Sequence, residues 1–150
     1  AQAFANLVWA YATVKHDHPQ MFDVISNAAM TCFDQFDPQN LANFAWAYAT
    51  VERASPQLFG ALAQASLHRL DDFIAEGLSS TAWAYAKAGI AAPALFREIA
   101  KRAQAKLGSF NHQALYVICV PSRDAIDAYV ASTAWRVSIL IQRHRRDVVP

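Results

Sequence analysis

Short polar side chains recur every 37 residues over residues 1–109, and they are the side chains best placed to bind a ligand. Amides and hydroxyls in such a series can pair with the edges of unstacked nucleobases, one repeat to each nucleotide. Spacing alone also allows an ordinary solvated helix face. In repeat order, the positions are Gln2, Asn6 and Thr13, then Gln39, Asn43 and Thr50, then Glu76, Ser80 and Lys87.

A hydrophobic or hydroxyl side chain borders this polar series in each repeat, at Leu7, Phe44 and Thr81. Its type varies from one repeat to the next, as expected of a position that stacks on a base or selects it. Burial between repeats is the alternative interpretation.

Basic side chains form a second candidate set, because cations are needed to bind phosphates. Arg97, Lys101 and Arg102 are close together on one predicted helix, with Lys106 following. Residues 143–146 form another basic cluster, for which a solubilising tail is the alternative.

The side chains required for catalysis do not occur in recognisable patterns. His16, Asp17 and His18 occupy a predicted turn just before Pro19, which favours a solvated turn over a metal site. There is no glycine-rich phosphate loop, nucleophile elbow or zinc signature. We therefore expect no enzyme activity, metal, cofactor or small-molecule substrate.

The secondary-structure elements that position these residues can be inferred from a repeated tetrapeptide, Trp-Ala-Tyr-Ala, which begins at residues 9, 46 and 83. Other residues share the 37-residue period, which indicates a duplicated structural unit. They include Pro19, Pro56 and Pro93; Phe22, Phe59 and Phe96; Phe36, Phe73 and Phe110; and Leu41, Leu78 and Leu115.

Within one unit the apolar positions have a helical period, which predicts helix A over 38–51 and helix B over 56–70. Asp37-Pro38 and Ser55-Pro56 supply helix start signals. The turn between the helices is short, so we expect them to be antiparallel neighbours.

Each helix pair must bury its apolar side against the next. The sequence therefore predicts an all-α protein, an α-solenoid of stacked two-helix repeats with a 37-residue period. In this interpretation Trp46 faces the core, and Tyr48 buries its ring while its hydroxyl stays in water. Ala47 belongs to the polar face, with Asn40 beside it. Phe36 and its equivalents seal the interfaces between units.

The repeats are predicted to cover 1–35, 36–72 and 73–109, followed by a degenerate fourth repeat over 110–150. Val120 replaces the expected tryptophan there, and Pro121 would break its first helix. An insertion of 15 residues before Trp135 is one explanation, and a basic tail ends the chain.

Composition agrees with one soluble helical domain. The chain has 150 residues, of which 55% are apolar and 17% charged, enough for a core. No apolar run reaches the ~20 residues of a membrane helix. Residues 1–72 carry net charge −4 and residues 73–150 carry +5, so a polyanion would meet the C-terminal half first. Cys32 and Cys119 are expected to be buried thiols.

The stretch from Phe36 to Ala49, with its Leu-Ala-Asn-x-x-Trp-Ala-Tyr-Ala core, resembles the first helix of octotricopeptide-type repeats. Similar units occur in FAST-kinase-domain and RAP-domain proteins and in RNA-editing substrate-binding complex subunit 6 proteins. The resemblance covers about residues 1–110, and no RAP domain is visible. It implies an organellar RNA-binding protein acting in transcript stability, processing, editing or translation.

The leading hypothesis is therefore a module that binds single-stranded RNA, with other RNA-processing proteins as further partners. The resemblance implies a mitochondrion or chloroplast, although no targeting segment is visible. A peptide-binding scaffold of tetratricopeptide style is the alternative. A third interpretation is the regulatory arm of an enzyme whose catalytic domain lies elsewhere.

Overall fold

A computed structural model describes residues 2–15 and 18–105, and this part of the chain is entirely helical, as predicted. Two short 3₁₀ turns, Phe33–Gln35 and Leu70–Asp72, precede the third and fifth helices. None of the described helices is long and apolar enough to cross a bilayer. In chain order the helices are α1 (Gln2–Thr13), α2 (Pro19–Met30), α3 (Pro38–Thr50), α4 (Pro56–Arg69), α5 (Ala75–Ala88) and α6 (Pro93–Ala105).

Several predictions fall outside the described residues. They are the His16-Asp17 pair, Lys106, Phe110, the degenerate repeat over 110–150, its insertion and its basic tail.

The predicted start signals form the expected caps. Asp37 accepts a hydrogen bond from the Asn40 backbone N–H at 2.7 Å, and Ser55 accepts one from the Leu58 N–H at 3.2 Å. A proline follows each cap, in the first turn, where its missing N–H has no intrahelical role. These contacts explain why α3 and α4 begin where they do.

Helices α1, α3 and α5 end alike, with a left-handed residue just beyond the last turn. Lys15, Glu52 and Gly89 have φ of 53°, 58° and 65°, and they are 37 residues apart. After α3, the Arg53 N–H donates to the Tyr48 carbonyl at 2.9 Å; after α5, the Ile90 N–H donates to Tyr85 at 3.2 Å. Such hydrogen bonds, from an N–H to the carbonyl five residues earlier, satisfy the last carbonyls of a helix. They also turn the chain toward the next helix.

The helices form two layers. In the first layer, α3 lies between α1 and α5 and packs closely against both; α2, α4 and α6 form a second layer whose members contact one another less. Small side chains permit the close approach of the first-layer helices. A Cβ added at Gly77 would lie 3.2 Å from the Phe73 ring and 4.0 Å from the Ala42 Cβ.

Aromatic side chains fill the space between the layers. Phe22, Phe59 and Phe73 are fully buried, as is Phe36, whose ring meets that of Phe44 edge-on at 5.6 Å between centroids. Phe36 and Phe73 are buried at the links into α3 and α5, as their predicted sealing role requires.

A buried hydrogen bond joins each later first-layer helix to the second-layer helix before it. The Tyr48 hydroxyl donates to the Phe22 carbonyl at 2.6 Å, and the Tyr85 hydroxyl donates to the Phe59 carbonyl at the same distance. Burial raises the pKa of both tyrosines, so the hydroxyls stay protonated and can donate. The prediction that the Tyr48 hydroxyl is wet was therefore wrong.

The predicted orientation of α3 also needs correction. Ala47 is fully buried, as is Ala84 on α5, whereas the equivalent Ala10 on α1 is exposed. This position therefore faces the preceding first-layer helix and not solvent. Asn40 is likewise buried, with only 6% of its surface exposed. Trp46, predicted to face the core, does pack against it but is only half-buried.

Candidate functional site

Among residues 2–15 and 18–105, nothing covers one side of the first layer, and we call that side the open face. On each helix its side chains are spaced by four, three and four residues, so they form one line along the helix. The open face consists of Gln2, Asn6, Trp9 and Thr13 on α1; Gln39, Asn43, Trp46 and Thr50 on α3; and Glu76, Ser80, Trp83 and Lys87 on α5.

All nine polar positions predicted from the 37-residue spacing lie on this face. On α3 and α5 the outer ones, Gln39, Glu76 and Lys87, are exposed, while Asn43, Thr50 and Ser80 are half-buried. The structure thus brings these six side chains together on two adjacent helices.

Three tryptophans on the open face were missed as functional residues. The indoles of Trp46 and Trp83 stack across α3 and α5, with centroids 6.3 Å apart and planes inclined by 28°. Trp9 is 45% exposed. The signal was present, since Trp46 follows Asn43 by three residues and precedes Thr50 by four. Its apolar character led to its assignment to the core alone, whereas it both packs against the core and lies on the open face.

The threonines of the open face are acceptors only. The Thr50 hydroxyl donates to the Trp46 carbonyl and the Thr13 hydroxyl to the Trp9 carbonyl, both at 2.8 Å. Because each proton is engaged within its own helix, only the oxygen lone pairs remain for a ligand. Lys87 reaches back to Glu52, with 3.3 Å between ammonium and carboxylate.

A shallow groove lies between the N-terminal halves of α3 and α5. Gln39, Asn43 and Ser80 line it, and its volume of about 270 Å³ falls below the ~300–1,000 Å³ of sites that enclose a small molecule. Three carboxylates also line the groove, those of Asp37, Asp72 and Glu76, and none of its lining residues in the described part of the chain is basic. It can therefore accept donor groups such as exocyclic amines, whereas a phosphate would be repelled.

The three positions that border the polar series, Leu7, Phe44 and Thr81, differ in exposure. Phe44 is fully buried and Thr81 is 1% exposed, so neither can stack on a base, and burial between helices is the correct interpretation for both. Leu7 is 42% exposed. It occupies on α1 the position that Phe44 occupies on α3, but among the described residues no helix packs against that side of α1.

The predicted basic set lies on α6, in the second layer, away from the open face. Arg102 pairs with Asp71 at 3.0 Å and also with Glu98. Lys101 pairs with Glu98 at 2.6 Å. The Lys101 hydrogen bond and the nearby Arg102 charge lower the pKa of the Glu98 carboxyl. Arg97 is exposed. The structure therefore does not bring these basic residues together with the polar residues of the open face.

Metal-ligating side chains are not clustered within residues 2–15 and 18–105: no three of His, Cys, Asp and Glu lie close enough to hold an ion. Cys32 is half-buried, and its thiol donates to the Ala28 carbonyl at 3.6 Å.

Fold and open face together define an all-helical protein with an extended surface of indole, amide and hydroxyl groups. The chain belongs to the RNA-editing substrate-binding complex 6 protein family, whose family model matches residues 1–123. That match includes all six helices described above. A search of curated proteins gave no match. The predicted link to an RNA-editing complex family is confirmed, and the likeness to octotricopeptide and FAST-kinase repeats stays a prediction.

Proposed function

We propose that this chain is the RNA-binding helical-repeat module of an RNA-editing complex component, and that the open face binds single-stranded RNA. The observation that carries the proposal is the alignment of one tryptophan and three polar side chains on each of α1, α3 and α5. Family membership supplies the class of ligand, since the family is named for an RNA-editing substrate-binding complex.

The proposed architecture is an α-solenoid with a 37-residue period. Several contacts recur with that offset and support it. The left-handed residues Lys15, Glu52 and Gly89 recur in this way, and so do the hydrogen bonds of Tyr48 and Tyr85. Recurrence of the same contact between successive units is what a stacked repeat requires.

Single strands fit the open face better than duplexes do. Indole faces and amide groups can meet only bases whose faces and edges are free, and in a duplex these are stacked and paired. The carboxylates along the α3–α5 groove disfavour phosphates, which directs bases and not the backbone toward that groove.

We further propose that the protein acts in a mitochondrion, where RNA editing complexes operate, alongside other RNA-processing proteins. A chloroplast location follows only from the wider repeat resemblance. We propose no catalytic role for this module, because its sequence has no nucleophile elbow, glycine-rich phosphate loop or zinc signature.

A peptide-binding scaffold is the second candidate function, and the groove itself favours it. The carboxylates of the groove would suit a basic peptide. The half-buried indoles of Trp46 and Trp83, further along α3 and α5, could take the prolines of an extended segment. The two candidates require different ligands on the same surface.

A fluorescence-anisotropy titration separates them. We expect a labelled random single-stranded RNA pool of about 12 nucleotides to bind in preference to the matched duplex. Asn43→Ala should weaken binding by about 1–3 kcal/mol if its amide pairs with a base edge. Gln64→Ala, an exposed change on α4, is the matched control and should leave affinity unchanged. Equal binding of duplex, or no binding at low salt, would refute the proposal.

A further inference from the structure

We infer that Trp9, Trp46 and Trp83, the tryptophan strip, form a stacking platform for the bases of single-stranded RNA. This inference rests on the proposed function and adds the binding mode, which is base stacking with little sequence preference. The juxtaposition behind it is one indole on the open face of each of three successive first-layer helices.

The first step is the exposure of the rings. A tryptophan serving only to fill the core would be enclosed, as Phe59 and Tyr85 are, yet Trp46 and Trp83 are half-buried and Trp9 is 45% exposed. The paired indoles of Trp46 and Trp83 present apolar surface rimmed by polar side chains, an arrangement typical of interaction sites.

The second step is the rigidity of the rings. Trp46 and Trp83 pack against the core on one side and stack on each other at 6.3 Å between centroids. Because their positions are already fixed by these contacts, little side-chain entropy remains to be lost when a base binds.

The third step is the chemistry of the neighbours. Asn43 lies one turn before Trp46 on the same line of α3, and Thr50 lies one turn after it. The ring can take the face of a base while the amide or the threonine oxygen meets its edge. Stacking tolerates every base because every base has a π face, so these neighbours would add only modest selectivity.

The fourth step is the charge of the surface. The groove beside the strip is lined by carboxylates. Lys87, the one cation among the twelve described side chains of the open face, is already paired with Glu52. Neutral stacking is therefore the main attraction that this face can offer to RNA. Binding through it releases few counterions, so affinity should fall only weakly with salt.

The test uses the full chain in a Trp135→Phe background, which leaves the strip as the source of indole fluorescence. Two probes of about 12 nucleotides are titrated, a single-stranded RNA and the same oligomer with abasic sites, which keeps the phosphates and removes the bases. Anisotropy of the labelled probe and quenching of the indole emission are recorded in parallel.

Variants separate stacking from folding. Trp46→Leu should weaken binding of the normal oligomer by about tenfold or more, whereas Trp46→Phe, which keeps an aromatic face, should retain most of the affinity. Trp9→Leu provides a second variant at the most exposed position, where folding is least at risk. Val24→Ala, an exposed apolar change in the second layer, is the matched control and should bind as the parent does.

We expect the normal oligomer to bind and quench indole emission, and the abasic oligomer to bind at least tenfold more weakly. Equal binding of both oligomers, or unchanged binding by folded Trp46→Leu and Trp9→Leu, would overturn the stacking inference and leave the proposed function standing. Failure of both oligomers to bind would overturn the proposed function, and the inference with it. A proline-rich peptide that binds and quenches in place of RNA would do the same.

Discussion

The indole of Trp46 stacks on that of Trp83, 37 residues further along the chain, with 6.3 Å between ring centroids. The pair bridges α3 and α5 on their uncovered side, so it joins two helices while leaving part of each ring in water. Packing and the proposed ligand binding therefore use the same residues, and their contributions can be separated by mutation.

Trp46→Ala should destabilise the protein less than a truncation in the core. Trp46 is half-buried, so we expect the mutation to lower the protein's free energy of unfolding by about 1–2 kcal/mol. Phe59→Ala removes a fully buried ring between the layers and should cost about 3–5 kcal/mol. Urea unfolding followed by circular dichroism measures both. Equal losses would show that Trp46 is as much a core residue as Phe59.

Tyr48→Phe tests the buried hydrogen bond to the Phe22 carbonyl. Removing the hydroxyl leaves a small gap and a carbonyl that loses one partner, so stability should fall by about 1–2 kcal/mol. Tyr11→Phe is the comparison at the equivalent, half-buried position of α1, and it should cost less. Urea unfolding is again the measurement, and a neutral Tyr48→Phe would contradict the assigned role.

Two glycine-to-alanine changes should have opposite signs. Gly89 has φ of 65°, a conformation that alanine adopts only with strain, so Gly89→Ala should destabilise by about 1–2 kcal/mol. Gly60 lies inside α4 with open space around the added Cβ, so Gly60→Ala should stabilise by about 0.5–1 kcal/mol. Thermal unfolding of both variants provides the check, and the same sign for both would refute the explanation.

Thr81→Val should stabilise the protein. Within the described part of the chain, the Thr81 hydroxyl is buried without a hydrogen-bond partner, and valine has nearly the same shape. Replacing an unsatisfied polar group by a methyl should raise the free energy of unfolding by about 1 kcal/mol. Thr50→Val is the contrast, because that hydroxyl donates to the Trp46 carbonyl and its loss should give no gain. Lower stability of Thr81→Val would indicate a partner such as bound water.

Arg97 and Arg102 should respond differently to mutation. If α6 contributes a phosphate contact, Arg97→Ala should reduce the salt dependence of RNA binding by about one counterion, because its side chain is exposed. Arg102→Ala breaks pairs with Asp71 and Glu98 and should affect stability more than RNA binding. The readout is the slope of log affinity against log salt. Identical slopes for parent and Arg97→Ala would remove α6 from the RNA interface.

The helices were predictable because their signals are local. Asp37-Pro38 and Ser55-Pro56 start α3 and α4 through contacts within three residues, and the short turn after α3 was read correctly. The left-handed conformation of that turn was not predicted, since only the copy at Gly89 carries the residue type that typically adopts it.

The orientation of α3 was harder to predict, because this helix is buried on three sides. Neighbours on both flanks and a second layer beneath leave only a narrow line in solvent. Small apolar residues such as Ala47 then look the same whether they face a helix or water, and a large apolar residue such as Trp46 is assigned to the core by default. Ion pairs such as Arg102 with Asp71, 31 residues apart, have no local signal at all.

The tyrosine hydrogen bonds also determine where the chain can change in length. Each spans 26 residues, from Phe22 to Tyr48 and from Phe59 to Tyr85, and each span contains a link between second-layer and first-layer helices. The turn over 51–55 lies outside both spans. Insertions there would lengthen a surface loop at small entropic cost, whereas a residue added between α2 and α3 would move Tyr48 out of reach of its acceptor. Natural or engineered length variants should therefore accumulate at one end of the helix pairs and be absent from the other.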